Sequence, residues 1–257
     1  MNKKFLLSAL GVVLGVLAST GCKSSLTMPP TVVPQGATVT ESSEVTPTPR
    51  EIIRAAAAQP LTPVAGAGWH PLFDGSSLHG WRVTNFGVVG RVEVQPGLLM
   101  FWMGGPFTGA NYTNAFPQRN YEVTLEAMRV AGEDFFCGLT FPVDDAFASL
   151  IVGGWGGSAV GISSIDGADA SENETTQTMT FATGRWYRIR LRVSAQKIEA
   201  WIDQKKIVNV VTTGRKLSLR AGEIELSKPF GLASWLTSAA FRDIQIRAIA
   251  GPADPTP

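Results

Sequence analysis

Lys197-Ile-Glu-Ala-Trp-Ile-Asp-Gln-Lys-Lys-Ile-Val-Asn-Val210 reads as two strands joined by a tight turn. Ile198, Ala200 and Ile202 alternate with Glu199 and Trp201, the period of two that gives a strand one apolar and one polar face. Asp203-Gln204-Lys205 makes the connection, and Ile207, Val208 and Val210 return. Trp201 falls opposite Ile198 and Ile202, where an aromatic ring either packs against a further layer or lies in an open groove as a binding residue. Just upstream, Arg188, Arg190 and Arg192 alternate with Ile189, Leu191 and Val193 over Trp186 to Val193. That spacing predicts a solvated polar face over a buried apolar one.

Outward from this hairpin the texture repeats. Short β-prone runs separated by Gly, Pro, Asn and Asp are Trp81 to Asn85, Arg91 to Gln95, Leu98 to Met103, Tyr121 to Val130, Phe135 to Phe141, Ala148 to Val152 and Ala159 to Ile165. Thr176 to Phe181, Phe230 to Trp235 and Ala239 to Arg247 complete the series. No helical period interrupts them, which predicts an all-β antiparallel sandwich or barrel. Residues 68–248 suffice for one such domain, burying about 70% of the unfolded chain's surface. Residues 249–257 are expected to be a disordered tail.

The N-terminus speaks to location. Lys3 and Lys4 precede an apolar run from Phe5 to Leu17, then Ala18, Ser19, Thr20, Gly21 and Cys22. Residues 1–21 read as an export signal, the run being shorter than the about 20 residues a membrane span needs. Gly21-Cys22 resembles a bacterial lipobox, whose cysteine is lipidated, although Ser19 stands where that motif prefers Leu. Lipidation at Cys22 makes a membrane-anchored lipoprotein facing the periplasm or cell surface; ordinary cleavage nearby leaves a soluble secreted chain. Residues 22–67, rich in Pro, Thr, Ser, Val and Ala, are expected to form a disordered linker, with a short helix around Glu51 to Ala58 as the one regular option before Pro60.

Charge and cysteines exclude several classes. The chain carries 22 Lys+Arg against 21 Asp+Glu, a net charge of +1. Loss of Lys3 and Lys4 with a leader takes this to −1, which leaves no electrostatic footprint for nucleic acid. Membrane contact is expected only through the anchor, and nothing in the sequence speaks to oligomeric state. Cys137 is the only cysteine besides Cys22 and lies in the apolar run Phe135 to Leu139, so a buried, inert thiol is expected. No P-loop, dinucleotide fingerprint, Gly-x-Ser-x-Gly elbow or Cys/His zinc spacing occurs.

Several segments offer site residues. Gly153-Gly-Trp-Gly-Gly157 places four glycines around Trp155, which calls for a sharp turn or a close approach to the backbone. A sugar ring stacked on Trp155 satisfies that pattern, and so does a glycine bulge with Trp155 plugging the sandwich edge. Asp166-Gly-Ala-Asp-Ala-Ser-Glu-Asn-Glu174 is dense in hard oxygen ligands. Asp166, Asp169 and Asn173 are its candidate ligands for Ca²⁺ or another divalent ion, without EF-hand spacing; a solvated acidic loop is the alternative. Glu172, Glu174, Glu133 and Asp134 are the candidate acid–base carboxylates. Trp102, Asn111, Tyr112 and Arg119 surround the glycine-rich Gly104 to Gly109 and are candidate groove residues.

Trp69-His-Pro-Leu-Phe-Asp-Gly-Ser-Ser-Leu-His-Gly-Trp81 marks the start of the β region and resembles the opening motif of the 3-keto-disaccharide hydrolase domain family. His79 stands where that motif usually has Asp. Tyr121-Glu-Val-Thr-Leu-Glu126, Asp134 to Phe141, Lys197 to Asp203, Pro229-Phe-Gly-Leu232 and Phe241 to Arg247 resemble later strands of the family in order. Cys137 stands in place of a serine, and the arginine that often ends the Asp134 to Phe141 strand is replaced by Pro142, just beyond it, or is shifted away. The resemblance implies a concanavalin A-like jelly roll with a carbohydrate site on its concave sheet. It also implies chemistry on 3-keto sugars, in which a base removes the proton next to the ketone while the glycosidic oxygen leaves. A non-catalytic carbohydrate-binding or envelope interaction module is the alternative, because Ser149 to Gly157 carries no carboxylate where the family's strand is acidic.

Overall fold

The computed structural model describes residues 46–251. The expected signal peptide over residues 1–21, Cys22, the linker up to residue 45 and the last residues of the tail lie outside this range. In chain order the strands are β1 (His70–Pro71), β2 (Trp81–Val83), β3 (Val92–Gln95), β4 (Leu98–Phe101), β5 (Phe107–Tyr112), β6 (Tyr121–Gly132), β7 (Cys137–Val143) and β8 (Ala146–Gly153). They continue as β9 (Ala159–Ser163), β10 (Gln177–Thr178), β11 (Trp186–Val193), β12 (Lys197–Ile202), β13 (Lys205–Val211), β14 (Phe230–Trp235) and β15 (Thr237–Ala248). The hairpin first read from the sequence is β12–β13, and β11, β12 and β14 begin and end where their patterns predict. Among the described residues no helix is long and apolar enough to cross a membrane.

The strands form two antiparallel sheets, a jelly-roll sandwich. The first runs β13-β12-β11-β6-β15-β4-β3 with β1 added to β15, and the second runs β10-β9-β8-β7-β14-β5-β2. Alternate residues of both meet in one core. Leu99, Phe101, Val123, Leu125, Ile189, Leu191, Ile198 and Phe241 come from the first sheet; Leu139, Phe141, Leu150, Val160, Ile162, Phe230 and Leu232 come from the second. Truncating one of the phenylalanines to Ala costs about 3–5 kcal/mol in such a core. Cys137 is buried among them, and burial pushes its thiol up, away from reactivity. The opening motif is structural. Trp81 donates its indole N–H to the Leu72 carbonyl at 2.7 Å. The Asp74 carboxylate, capped by the Ser77 hydroxyl and by the Ser76 and Ser77 backbone N–H groups, is held well below the usual carboxylate range.

The end of the expected linker is ordered. Helix α1 (Pro49–Ala57) opens on a reciprocal capping box between Thr48 and Glu51. It lays Ile53 and Ala56 on the outer face of the first sheet, against Leu98, Met100, Met128, Val130, Trp186 and Ala240. This is why β4 is buried on both faces and reads as a continuous apolar run.

Beyond the helix, residues 58–67 cross the same face as a strap whose carbonyls meet arginines. Arg242 donates to the Gln59 and Pro60 carbonyls at 2.8 and 3.0 Å, Arg188 to Thr62 at 2.7 Å, and Arg247 to Ala65 at 3.4 Å. Beneath them lie the buried carboxylates Glu122 and Glu126. Glu126 accepts from Arg242 at 2.6 Å and from the Thr62 N–H at 2.9 Å, while Glu122 accepts from Arg192 at 2.6 Å and Arg247 at 2.5 Å. Two expectations are corrected here. The arginine face of β11 is not left to solvent at Arg188, and the expected linker is not disordered from Thr48 onward. Composition underestimates this segment because its order comes from backbone carbonyls, which every residue supplies.

Candidate functional site

The outer face of the second sheet is built differently. Since Ala110, Leu139, Leu150, Ile162 and Leu232 point into the core, their neighbours point out. Cross-strand register lines these up as Gly109, Ala233, Gly138, Ile151 and Gly161 in one row, with Asn111, Gly231, Thr140, Ser149 and Ser163 in the next. Mostly small side chains leave a trough. The segment between β13 and β14 crosses it, carrying a 3-10 turn (Glu223–Ser227) whose Ile224 packs against Phe107 and Ala233. Asn111 fastens that crossing by donating to the Leu226 and Lys228 carbonyls at 2.8 and 2.9 Å.

Between crossing and trough lies a cavity of about 420 Å³. Phe107, Phe135, Trp155 and Trp235 give it aromatic walls, and Ile151, Ala221 and Ile224 complete the apolar lining. Its polar groups are Asp134, Ser149, Ser163, Arg220 and Glu223. Ser149 shares a 2.8 Å hydrogen bond with Thr140. Ser163 donates its hydroxyl proton to Asp169, whose other oxygen accepts from Arg220 at 2.7 Å. Ser163 is thereby left as an acceptor toward the cavity, while the Arg220 guanidinium has further donors to offer. A mostly apolar pocket of this size with a few placed polar groups suits a small molecule.

Trp155 stands at the rim, 43% exposed. Its backbone is left-handed (φ 50°, ψ 56°), an outlier for a bulky residue and a mark of a position fixed by its surroundings. Gly153 (φ 78°) and Gly157 (φ 100°) make the turn around it. A Cβ at Gly153 would stand 2.7 Å from Arg129, and one at Gly157 would stand 2.8 Å from the Glu133 carbonyl. Beneath this loop lies Arg129 of β6, buried, with Nη2 donating to the carbonyls of Gly157 (2.9 Å), Asp134 (3.2 Å) and Gly153 (3.4 Å) and Nη1 to that of Phe181 (3.3 Å). Burial pulls its guanidinium below the usual range. Above, the Asp134 carboxylate accepts from the Phe135 N–H at 2.7 Å and the Gly156 N–H at 3.3 Å.

Of the residues expected from sequence, Trp155 and Asp134 line the cavity, and Asp169 backs it through Ser163 and Arg220. Glu133 is exposed outside it. Glu172 is exposed, and Glu174 pairs with Arg215 at 2.5 Å. Asp166 pairs with the same arginine at 2.5 Å, while the Asn173 amide donates to the carbonyls of Ile162, Ala168 and Asp169. The acidic loop is therefore an arginine-pinned turn, and among the described residues no group of three or more His, Cys, Asp or Glu side chains gathers for a metal.

The expected groove around Gly104 to Gly109 is corrected, for its second half is the start of β5, and its flanking residues point to different places. Asn111 is consumed by the crossing segment, and Tyr112 packs on Trp81. Arg119 pairs with Asp144 at 3.4 Å on the surface. Trp102 lines a separate hollow beside α1, with Arg50, Arg54 and Arg91 at its edge. Trp201 lies on the outer face of the first sheet beneath Arg190, 3.9 Å from its ring. Sequence reasoning missed Phe107, Phe135, Trp235, Ser163, Arg220 and Glu223. Alternation within β14 already put Trp235 opposite Leu232 and Phe230, but only the strand register brings it beside Phe107.

Fold and cavity together define a class: an antiparallel jelly roll with an aromatic-walled pocket on the outer face of one sheet. Residues 68–247 match the 3-keto-alpha-glucoside-1,2-lyase-like domain, and the chain belongs to that family. Among solved structures, a Bacillus subtilis protein with a galectin-like fold matches at TM-score 0.50 and 11% identity, over 73% of this chain and 98% of its own. The Crh5 transglycosylase in complex with NAG matches at 0.49 and 15%, over 73% and 86%. The carbohydrate-binding module CBM66 from Bacillus subtilis matches at 0.44 and 12%, over 66% and 96%. No curated protein matches the sequence.

Proposed function

We propose that the chain binds a glycoside in the cavity between the second sheet and its crossing segment, with one pyranose face stacked on Trp155. The observation that carries this reading is Trp155 itself, an exposed indole held in a left-handed turn at the mouth of an aromatic pocket. C–H faces of sugars pack on such rings, and Ser163, Arg220 and Glu223 lie where ring hydroxyls need an acceptor, a donor and a charged acceptor. Titration with methyl 3-keto-α-glucoside and with its parent methyl α-glucoside tests the reading. Saturable binding that Trp155→Ala weakens about ten-fold is expected; binding indifferent to that substitution overturns the stacking role.

A catalytic reading rests on a second observation, that Asp134 and Glu223 line the same cavity. In a lyase step on a 3-keto-glycoside, one carboxylate accepts the proton from the carbon beside the ketone. That C–H electron pair forms the new double bond, and the glycosidic C–O bond breaks as its oxygen takes a proton. Glu223 is the freer base, since both Asp134 oxygens already accept backbone N–H bonds. Release of methanol from methyl 3-keto-α-glucoside, followed with and without added divalent ion and abolished by Glu223→Gln, is the expected result. No release by the unmodified protein leaves binding alone.

We further propose that the chain is exported and lipid-anchored through Cys22, on the strength of Lys3, Lys4, the apolar Phe5 to Leu17 and Gly21-Cys22. Mass spectrometry of the N-terminus of membrane-fraction protein decides this, and Cys22→Ser is expected to shift the chain to the soluble fraction.

A further inference from the structure

We propose that Arg129 is a positioning residue, which from inside the sandwich sets the Gly153 to Gly157 loop so that Trp155 stands over the cavity before any ligand arrives. The proposal deepens the glycoside-binding reading and rests on it for the ligand, though not for the loop.

Arg129 does something unusual for a buried cation. No carboxylate pairs with it among the described residues, and its neighbours are instead four carbonyl oxygens and the Phe136 ring, 5.3 Å from the guanidinium carbon. A charge withdrawn from water needs such compensation, and a fan of carbonyl dipoles supplies it only while the chain that carries them holds still. Two of those carbonyls, Gly153 and Gly157, bracket Trp155. A third belongs to Asp134, so one guanidinium ties together two walls of the cavity.

Two of the four glycines follow from this arrangement. At Gly153 a side chain would collide with the guanidinium, and at Gly157 with the Glu133 carbonyl while standing 3.3 Å from the guanidinium. The loop is closed from its other side by the Asp134 carboxylate on the Gly156 N–H. Trp155 is thus caught between a cation below and an anion above, and neither touches its ring. Preorganisation of this kind raises affinity by removing the ordering cost at the moment of binding. Lysine does not replace arginine here, because a single ammonium nitrogen does not reach both the three carbonyls at Nη2 and the Phe181 carbonyl at Nη1.

The test follows Trp155 directly. The full chain is labelled with 5-fluorotryptophan, and the Trp155 resonance is assigned among its 7 tryptophans by Trp155→Phe. In Arg129→Lys and Arg129→Met this line is expected to shift or broaden, while lines distant from the loop stay in place. Gly157→Ala, which pushes the loop off the guanidinium without altering the charge, is expected to do the same and serves where the Arg129 variants do not fold. An unchanged Trp155 line in a folded Arg129 variant, or in Gly157→Ala, overturns the proposal.

Affinity for methyl 3-keto-α-glucoside supplies the second readout. Arg129→Lys is expected to weaken binding about five-fold in the unmodified chain and to cause no further loss in a Trp155→Ala background. Full additivity of the two substitutions overturns action through Trp155, which a merely structural arginine would also show. If the unmodified protein binds neither sugar, the glycoside reading fails, and the fluorine line alone decides the positioning role.

Discussion

The two outer faces of the sandwich answer the same problem in opposite ways. On the first sheet, rows of Arg, Glu and Asp meet a strap of main chain, and donor finds acceptor along residues 56–67. On the second, rows of Gly, Ala, Ser and Thr meet a crossing segment that contributes rings and short polar groups, and a cavity remains. Charged side chains reach up to fill space and fix backbone carbonyls over them, whereas small ones leave a trough that bulky rings roof without filling. One face is closed by polar matching, and the other is kept open by size.

Removing residues 48–67 from the chain breaks the comparison at its strongest point. Glu126, Arg188 and Arg242 lose partners while partly covered, so a loss of at least about 3–5 kcal/mol is expected, read as a lower denaturant midpoint. An unchanged midpoint would show that the strap only rests on the sheet. Glu126→Ala, a single-residue version, is expected to cost about 3 kcal/mol by leaving Arg242 unpaired, against little change for Glu199→Ala at the sheet's open end. On the open face the expected effects move from stability to affinity. Trp155→Ala should leave stability within about 0.5 kcal/mol, because the ring is half exposed, yet weaken glycoside binding by about 1.4 kcal/mol, ten-fold.

The smallest expected effect belongs to the acidic loop beside the open face. The Lys216 backbone N–H and Arg215 hold Asp166 below its ordinary range, and Arg215 does the same for Glu174. Depressed carboxylates stabilise the fold above their unfolded-state range and lose that contribution as pH falls through their folded values. The melting temperature should therefore exceed that of Arg215→Gln slightly at pH 6, and the gap should close below the usual carboxylate range. A gap that widens on acidification would sink this account.

Much of the sandwich is legible because a strand's period is local. Trp186 to Val193 and Lys197 to Ile202 declare both boundaries and faces in their own residues. Strand β5 escapes because Gly104-Gly-Pro106 reads as the start of a loop, and the turn signal hides the strand behind it. Alternation also says which way Arg188 points without saying what lies over it, so a covered face reads as a wet one. At the site, Trp155 is legible from the glycines that flank it. Arg220 is not, since its meaning depends on Asp169, 51 positions earlier in the chain. Separations of 49 and 41 positions likewise hide Arg215 from Asp166 and Glu174, which makes pinned carboxylates look like free oxygen ligands.

The strap also sets an order in time. Arg242 lies 183 residues beyond Gln59, whose carbonyl it grips, and 116 beyond Glu126, its counter-ion. Until β15 has joined β6, α1 and the strap have no complete surface to dock on, and closing so long a loop is slow relative to hairpin formation. The first described residues to be synthesised are thus the last to settle. In pulse-labelled hydrogen exchange the Thr62 amide, bonded to Glu126, is expected to gain protection after the β12–β13 hairpin, making its burial the final event of folding.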